Sequence, residues 1–286
     1  MINKLAIIGV GLIGGSLARD LRAQGLVGEI VGYGRSVSNL SLAVDMGVID
    51  RVANGARAAA DGADVVVIAV PVASIGDVLR EIAPAIGTDS VVTDVGSVKQ
   101  SVIHAARTAL DERFANFVPG HPIAGTENSG VGASLEGLFR HRRVILTPTD
   151  ETDAAAIERV QTLWQVTGAN VVLMDAVEHD RLLAASSHLP HMIAFSLMDT
   201  LVRLDEHRKI FEYSAGGLRD TTRIAGSDAV MWRDIVLGNR EALLTVLRQY
   251  HEDMEELIAA IERSDADWLV DTFNRARHAR EMLNKS

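Results

Sequence analysis

Short apolar runs alternate with stretches of helical spacing through the first 175 residues of the chain. The runs KLAIIGV (4–10), EIVGYGR (29–35), ADVVVIAVP (63–71) and SVVTDVGS (90–97) are close to continuously apolar rather than alternating. Strands read this way when helices cover both faces of a parallel sheet. LIGGSLARDLRAQG (12–25) and VASIGDVLREIAPAIG (72–87) repeat their apolar residues at helical spacing, the first running to a glycine stop. FVPG (117–120), RVILTPT (143–149) and NVVLMD (170–175) predict later strands, with a helix over about 152–167. This alternation predicts a parallel α/β sheet with right-handed crossovers.

Beyond residue 175 the strand signal ends. Residues 176–204 read as a long helix interrupted only at Pro190, 227–265 as a second that opens on a Ser-Asp cap, and about 266–284 as a third. Helices this long need a partner for their apolar faces, and these follow the strands instead of interleaving with them. The expectation is two directly joined domains, 1–173 built on the sheet and 174–286 all helical, the latter suited to a homodimer interface.

The turn between the first strand and first helix, GVGLIGG (9–15), places Gly9, Gly11 and Gly14 in the spacing G-x-G-x-x-G. Gly9 permits a tight turn, Gly11 lets a pyrophosphate approach the backbone, and Gly14 lets helix and strand pack closely. Leu12 and Ile13 open the helix, whose free N–H groups and partial positive charge suit phosphates. The sheet domain is therefore expected to be an α/β Rossmann-type dinucleotide-binding domain, followed by an all-α helical dimerisation domain. Val70 and Pro71, closing the run 63–71, are counted in the cofactor site. At the end of the second strand an acid would take the ribose hydroxyls of NAD, but Gly34 stands there, followed by Arg35 and Ser36. A guanidinium and a hydroxyl without an acid favour the phosphate of NADP. An Arg35 that only stacks over adenine would leave NAD acceptable.

Composition narrows the classes further. The 286 residues are 48% hydrophobic and 23% charged, with a formal net charge of −10. That balance argues against nucleic-acid backbone binding while allowing a small anionic substrate held by local arginines. There is no cysteine, which removes thiolate nucleophiles and cysteine-based metal sites. The apolar runs are too short to span a bilayer and the start lacks a secretory cleavage pattern, so a cytoplasmic protein without a membrane partner is expected.

Four further stretches carry chemistry. TDVGSVK (93–99) ends a strand with Gly96, Ser97 and Lys99. GHPIAGTE (120–127) ends the next, and Pro122 biases His121 away from helix, on to an extended turn. A neutral imidazole there suits an alcohol proton during hydride loss. SSHLPH (186–191) holds His188 and His191; without cysteine or H-E-x-x-H a metal is not expected, and a polar pocket wall or a proline-interrupted helix start fits better. GGLRDTTRIAGSDAVMWRD (216–234) brings Arg219, Arg223 and Trp232 into one interhelical stretch, a candidate carboxylate receptor or a set of surface ion pairs.

Taken in order, GVGLIGGS, DVGSVK, GHPIAGTE, SSHLPH and DTTRIAGSDAVMWRDI resemble the prephenate/arogenate (cyclohexadienyl) dehydrogenase family over nearly the whole chain. The resemblance implies NAD(P)-dependent oxidative decarboxylation of a cyclohexadienol in tyrosine biosynthesis. It implies His121 as the proton acceptor and Ser97 as the group orienting it. It also implies Arg223 on the ring carboxylate, His191 with Trp232 and Gly217 around the substrate side chain, and Glu127 gating or polarising the site. His188 joins the expected substrate wall. A chain without an added chorismate mutase segment or regulatory module, dimeric through its helices, is the corresponding expectation. Two rivals share the glycine loop. A β-hydroxyacid dehydrogenase would need a lysine on a helix of the second domain, where Lys209 lies only near a boundary. A dinucleotide-sensing regulator would have no reason to keep Ser97, His121 and Arg223 together.

Overall fold

The strand β1 (Ile2–Ile8) is central because its residues bury on both faces. Leu5 and Ile7 join one core, with Leu17 and Leu21 of α1 (Leu12–Ala23) and Trp164 of α6 (Ala154–Gln165). Ala6 and Ile8 join the other, with Ile75 and Leu79 of α4 (Val72–Ile82) and Val102 of α5 (Gln100–Leu110). Each fully buried Leu or Ile contributes about 1.5–3 kcal/mol, so these two layers dominate the stability of the sheet. The computed structural model describes residues 1–126 and 128–283.

β2 (Val27–Tyr33), β3 (Arg51–Val52), β4 (Val65–Ile68), β5 (Val91–Asp94) and β6 (Phe117–Val118) complete a six-stranded sheet of order β3-β2-β1-β4-β5-β6, every pair parallel. α2 (Val37–Asp45) and α3 (Ala56–Ala60) flank the short β3, three elements the apolar pattern did not single out. The order reverses between β1 and β4, and ligands of such sheets bind beyond the carboxyl ends at that point.

FVPG does not form one strand. Pro119 lacks an N–H for the ladder, and the chain changes sheet there. Phe117–Val118 stays with β5, while β7 (Gly120–Pro122) pairs antiparallel with β8 (Arg143–Leu146), and β8 pairs parallel with β9 (Asn170–Leu173). His121 thus lies in a strand of a separate three-stranded sheet, opposite Ile145, and not on a turn closing the parallel one. A Cβ at Gly120 would stand 2.9 Å from the carbonyl oxygen of Asp94, so only glycine lets β7 start this close to β5.

The helix expected over 176–204 is not broken at Pro190 but widened before it. α7 (Ala176–Leu183) runs through a π-helical turn, Ala184–His188, into α8 (Leu189–Val202). Proline has no N–H and its ring crowds the carbonyl one turn back, and a wider turn accommodates both. The helix expected over 227–265 is interrupted at Asn239, between α11 (Ala229–Gly238) and α12 (Arg240–Glu262). The Asn239 side chain leaves the helical register to donate to the Asp180 carbonyl at 2.7 Å. Gly238 just before it packs so closely that a Cβ would meet Val98 Cγ2 at 2.9 Å. α9 (His207–Glu212), α10 (Gly216–Thr222) and α13 (Ala266–Leu283) are the remaining helices.

The compact units divide after Arg240, with both sheets and the helices through α11 in the first. In the second, Ile258, Ile261, Val270 and Phe273 are each more than half exposed. Among the described residues no helix is long and apolar enough to cross a membrane.

Candidate active site

The glycine loop has the shape its spacing predicts. Gly9 sits at φ +102°, and a Cβ there would lie 2.2 Å from the Ala69 carbonyl oxygen, where the ends of β1 and β4 meet. A Cβ on Gly14 would strike the Gly9 carbonyl oxygen at 2.5 Å. At Gly11, by contrast, nothing stands within 4 Å. Gly11 caps α1 without a side-chain partner, no acid lies in the first turn, and Leu12 and Ile13 are half-buried there. Open space, unpaired N–H groups and a positive helix end together fit the pyrophosphate of a dinucleotide. Asn39 fixes the rim: its amide donates to the Val10 carbonyl at 2.6 Å and accepts from Val131 N at 2.8 Å. Beyond Gly34, Arg35 is exposed and Ser36 caps α2 by accepting from Asn39 N at 3.2 Å. Val70 is half-buried and Pro71 caps the start of α4, next to the Gly9 turn.

One strand over, Asp94 and Lys99 form a fully buried ion pair, Nζ to Oδ2 at 2.5 Å. Asp94 also accepts from Gly96 N at 2.7 Å and Gly120 N at 3.1 Å, while Lys99 donates to the Gly120 carbonyl at 2.7 Å. The pair clamps the loop after β5 to the first residue of β7. Burial pushes the Lys99 ammonium below its ordinary value, and the Asp94 carboxylate offsets part of that shift. Ser97 is half-buried in the same loop.

His121, only 8% exposed, follows directly. Its Nδ1 lies 2.8 Å from His179 Nε2, and His179 Nδ1 lies 2.8 Å from Asp180 Oδ1. Burial holds the His121 imidazole well below the ordinary histidine value, and His179, Lys99 and His188 push the same way. Asp180 also accepts from Lys99 N at 2.8 Å and Gln100 N at 2.9 Å, at the start of α5. Burial works to raise the Asp180 carboxyl, but the bonds from His179 and these N–H groups outweigh it and hold it low.

The π turn and α11 form a second group. His188, 1% exposed, receives a hydrogen bond on Nδ1 from Asn239 Nδ2 at 3.1 Å, and burial lowers it to about 4. His191 donates from Nδ1 to the Ser187 carbonyl at 2.9 Å and stacks on Trp232 with ring centroids 3.7 Å apart. Burial lowers its pKa too, and the Arg223 charge lies near enough to act in the same direction. Trp232 Nε1 is buried without a hydrogen-bond partner. Arg223 is exposed at the end of α10, as are Arg219 and Gly217 on that helix. Glu127 lies outside the described residues. Among those described, no group of three or more His, Cys, Asp or Glu could hold a metal ion.

The structure thus joins His121 to Lys99 and gathers His188, His191, Trp232 and Arg223. It adds four residues that the sequence motifs did not single out: Asp94, His179, Asp180 and Asn239. The contiguous His179-Asp180 pair inside a helical stretch was the available signal, but nothing in its spacing ties it to His121.

Comparison with known proteins accounts for both parts of the chain. A family model described as the nucleotide-binding domain of prephenate dehydrogenase matches residues 17–173, and one for its dimerization domain matches 175–275. A cyclohexadienyl dehydrogenase of Zymomonas mobilis is 40% identical, covering 99% of this chain and 97% of that protein. The crystal structure of prephenate dehydrogenase from Aquifex aeolicus with hydroxyphenyl propionate and NAD+ superposes with a TM-score of 0.93 at 36% identity, covering 99% of each chain. Synechocystis arogenate dehydrogenase gives a TM-score of 0.81 at 27% identity, over 97% of this chain and 99% of that one. Matched along both parts and nearly end to end, the chain is an oxidoreductase that belongs to the prephenate dehydrogenase family.

Proposed function

We propose that the enzyme oxidises and decarboxylates a cyclohexadienol, prephenate or arogenate, in tyrosine biosynthesis, with His121 as general base. The observation that carries this reading is a buried, neutral imidazole anchored beside the carboxyl end of β5, in a fold whose parallel sheet takes its ligands beyond its strands' carboxyl ends. His121 accepts the ring hydroxyl's proton as hydride departs from the same carbon. Ser97, in the loop after β5, orients substrate and base. Arg223 holds the ring carboxylate, and a guanidinium pairs with a carboxylate in two parallel hydrogen bonds. Oxidation makes a dienone whose carbonyl is linked through the ring double bonds to the carbon bearing that carboxylate, so it can accept the electron pair left as CO2 departs, and formation of the aromatic ring drives that loss. The neutral rings of His188 and His191, with the unpartnered Nε1 of Trp232, offer polar edges to the substrate side chain. Gly217 completes that wall, and the role proposed for Glu127 is to gate or polarise the site.

The dinucleotide is held by Gly9, Gly11, Leu12, Ile13 and Gly14 and by Val70 and Pro71. When bound, its nicotinamide accepts the hydride. The absence of an acid at Gly34, with Arg35 and Ser36 following, supports NADP over NAD. The two family models, meeting between residues 173 and 175, support a functional division at 173/174. The exposed apolar residues of α12 and α13 support a homodimer.

The test is a spectrophotometric assay of prephenate and arogenate, each against NAD and NADP. Cofactor reduction with release of CO2 and a phenolic product supports the reading, with NADP giving the higher kcat/KM. No reduction in any of the four combinations overturns it.

A further inference from the structure

Asp180 is purely an acceptor where it stands. Oδ1 accepts from Lys99 N at 2.8 Å, and Oδ2 accepts from Gln100 N at 2.9 Å and from Gln100 Nε2 at 3.2 Å. Three N–H donors on its two oxygens, with bonds that hold its pKa below the ordinary carboxyl value, keep the carboxyl group ionised, so His179 Nδ1, 2.8 Å from Oδ1, carries a proton. A neutral His179 then has a bare Nε2. That atom lies 2.8 Å from His121 Nδ1, a separation that holds one proton and not two. The proton therefore belongs to His121 Nδ1. The other ring nitrogen of His121, Nε2, is left with its lone pair, the form in which an imidazole accepts a proton.

We propose that His179 and Asp180 are positioning residues that fix the base-competent tautomer of His121 and take over the proton His121 removes from substrate. This rests on the oxidative decarboxylation proposed above. The substrate O–H bond breaks as an N–H bond forms at His121 Nε2, while the C–H electron pair leaves as hydride to the oxidised dinucleotide. The His121 Nδ1–H bond breaks as an N–H bond forms at His179 Nε2. The positive charge comes to rest on His179, whose Nδ1 lies 2.8 Å from the Asp180 carboxylate. Charge retained on His121 would instead face the Lys99 ammonium and the rings of His179 and His188, all of which oppose it. Moving the proton one ring away takes it from a ring whose charged neighbours oppose it to a ring with a carboxylate in hydrogen-bond contact.

Asp180 also caps α5 through Lys99 N and Gln100 N, so lost stability in its variants speaks to capping. The test therefore falls on His179 and on the unmutated enzyme. In the full-length protein labelled with 15N at histidine, the ring shifts of His121 are identified by their absence in His121→Asn. The expected signature at neutral pH is a protonated Nδ1 and an unprotonated Nε2. The reverse pattern overturns the proposal, and this measurement decides even if a His179 variant fails to fold.

His179→Ala is expected to lower kcat about 100-fold, as when a base loses the group that sets its tautomer. KM is expected to stay within about threefold, because the lost contact is not to substrate. The His121 ring signals should become a mixture of tautomers. His179→Gln keeps an amide oxygen that accepts from Nδ1–H but cannot take up a proton. It is expected to restore the tautomer and only part of kcat. A folded His179→Ala enzyme whose kcat stays within threefold of the parent overturns the proposal. Absence of turnover by the unmutated enzyme with either substrate counts against the functional reading alone, since the tautomer still judges the dyad.

Discussion

Lys99 Nζ lies 2.5 Å from Asp94 Oδ2 with neither side chain exposed, and the same ammonium reaches the Gly120 carbonyl at 2.7 Å. One buried pair thus ties the loop after β5 to the strand that carries His121. Removing one partner of such a pair leaves an uncompensated buried charge, at a cost of about 3–5 kcal/mol. Lys99→Met is expected to lose stability of that size in chemical denaturation, and adding Asp94→Asn should recover part of it. A single variant within about 1 kcal/mol of the parent would show that the clamp contributes nothing net.

Gly9 and Gly11 separate fold from function within three residues. Gly9→Ala forces a Cβ to 2.2 Å from the Ala69 carbonyl oxygen at φ +102°, so both stability and dinucleotide affinity should fall. Gly11→Ala meets nothing within 4 Å and should leave the melting temperature near that of the parent. Its methyl group would occupy the approach of the pyrophosphate, and a loss of about tenfold or more in dinucleotide affinity is expected by calorimetry. Unchanged affinity in Gly11→Ala would move the phosphates elsewhere.

Arg35 is the test of cofactor choice. Loss of a charged hydrogen bond of about 1.5–3 kcal/mol corresponds to roughly 10- to 100-fold in affinity. Arg35→Ala should raise KM for NADP by about that factor and leave KM for NAD within about twofold. Equal effects on both cofactors would reduce Arg35 to a contact with the adenine they share.

Much of this was legible in local sequence, and the limits have physical causes. The glycine loop could be read because its chemistry is contained in six consecutive residues after an apolar strand. His121 could be read as a candidate, but not its strand, because the switch of sheets at Pro119 depends on a partner, β8, more than 20 residues on. His179 and Asp180 do not stand out locally because they sit inside an ordinary amphipathic stretch, and the His121–His179 contact spans 58 residues of sequence. The break at Asn239 is also silent locally, since apolar periodicity runs through it and the hydrogen bond that ends α11 goes to Asp180.

His188 gives the protein a predicted acid sensitivity. Its pKa is about 4 in the fold, against about 6.5 in an unfolded chain. Between those values the unfolded state binds the proton and the folded state does not, so stability falls as pH drops from about 6.5 toward 4. The full contribution of this one group is about 3 kcal/mol, complete above the unfolded value. Denaturation midpoints across that range should flatten in His188→Gln. A slope identical to the parent's would assign the acid sensitivity to other groups.

The most direct measurement is the turnover of His121→Asn with prephenate or arogenate, set beside its dinucleotide affinity. A lost general base predicts a fall in kcat of about 10²- to 10⁴-fold with cofactor affinity unchanged. Turnover within a few-fold of the parent would contradict the assignment of His121 as the base and, with it, the chemistry proposed for this site.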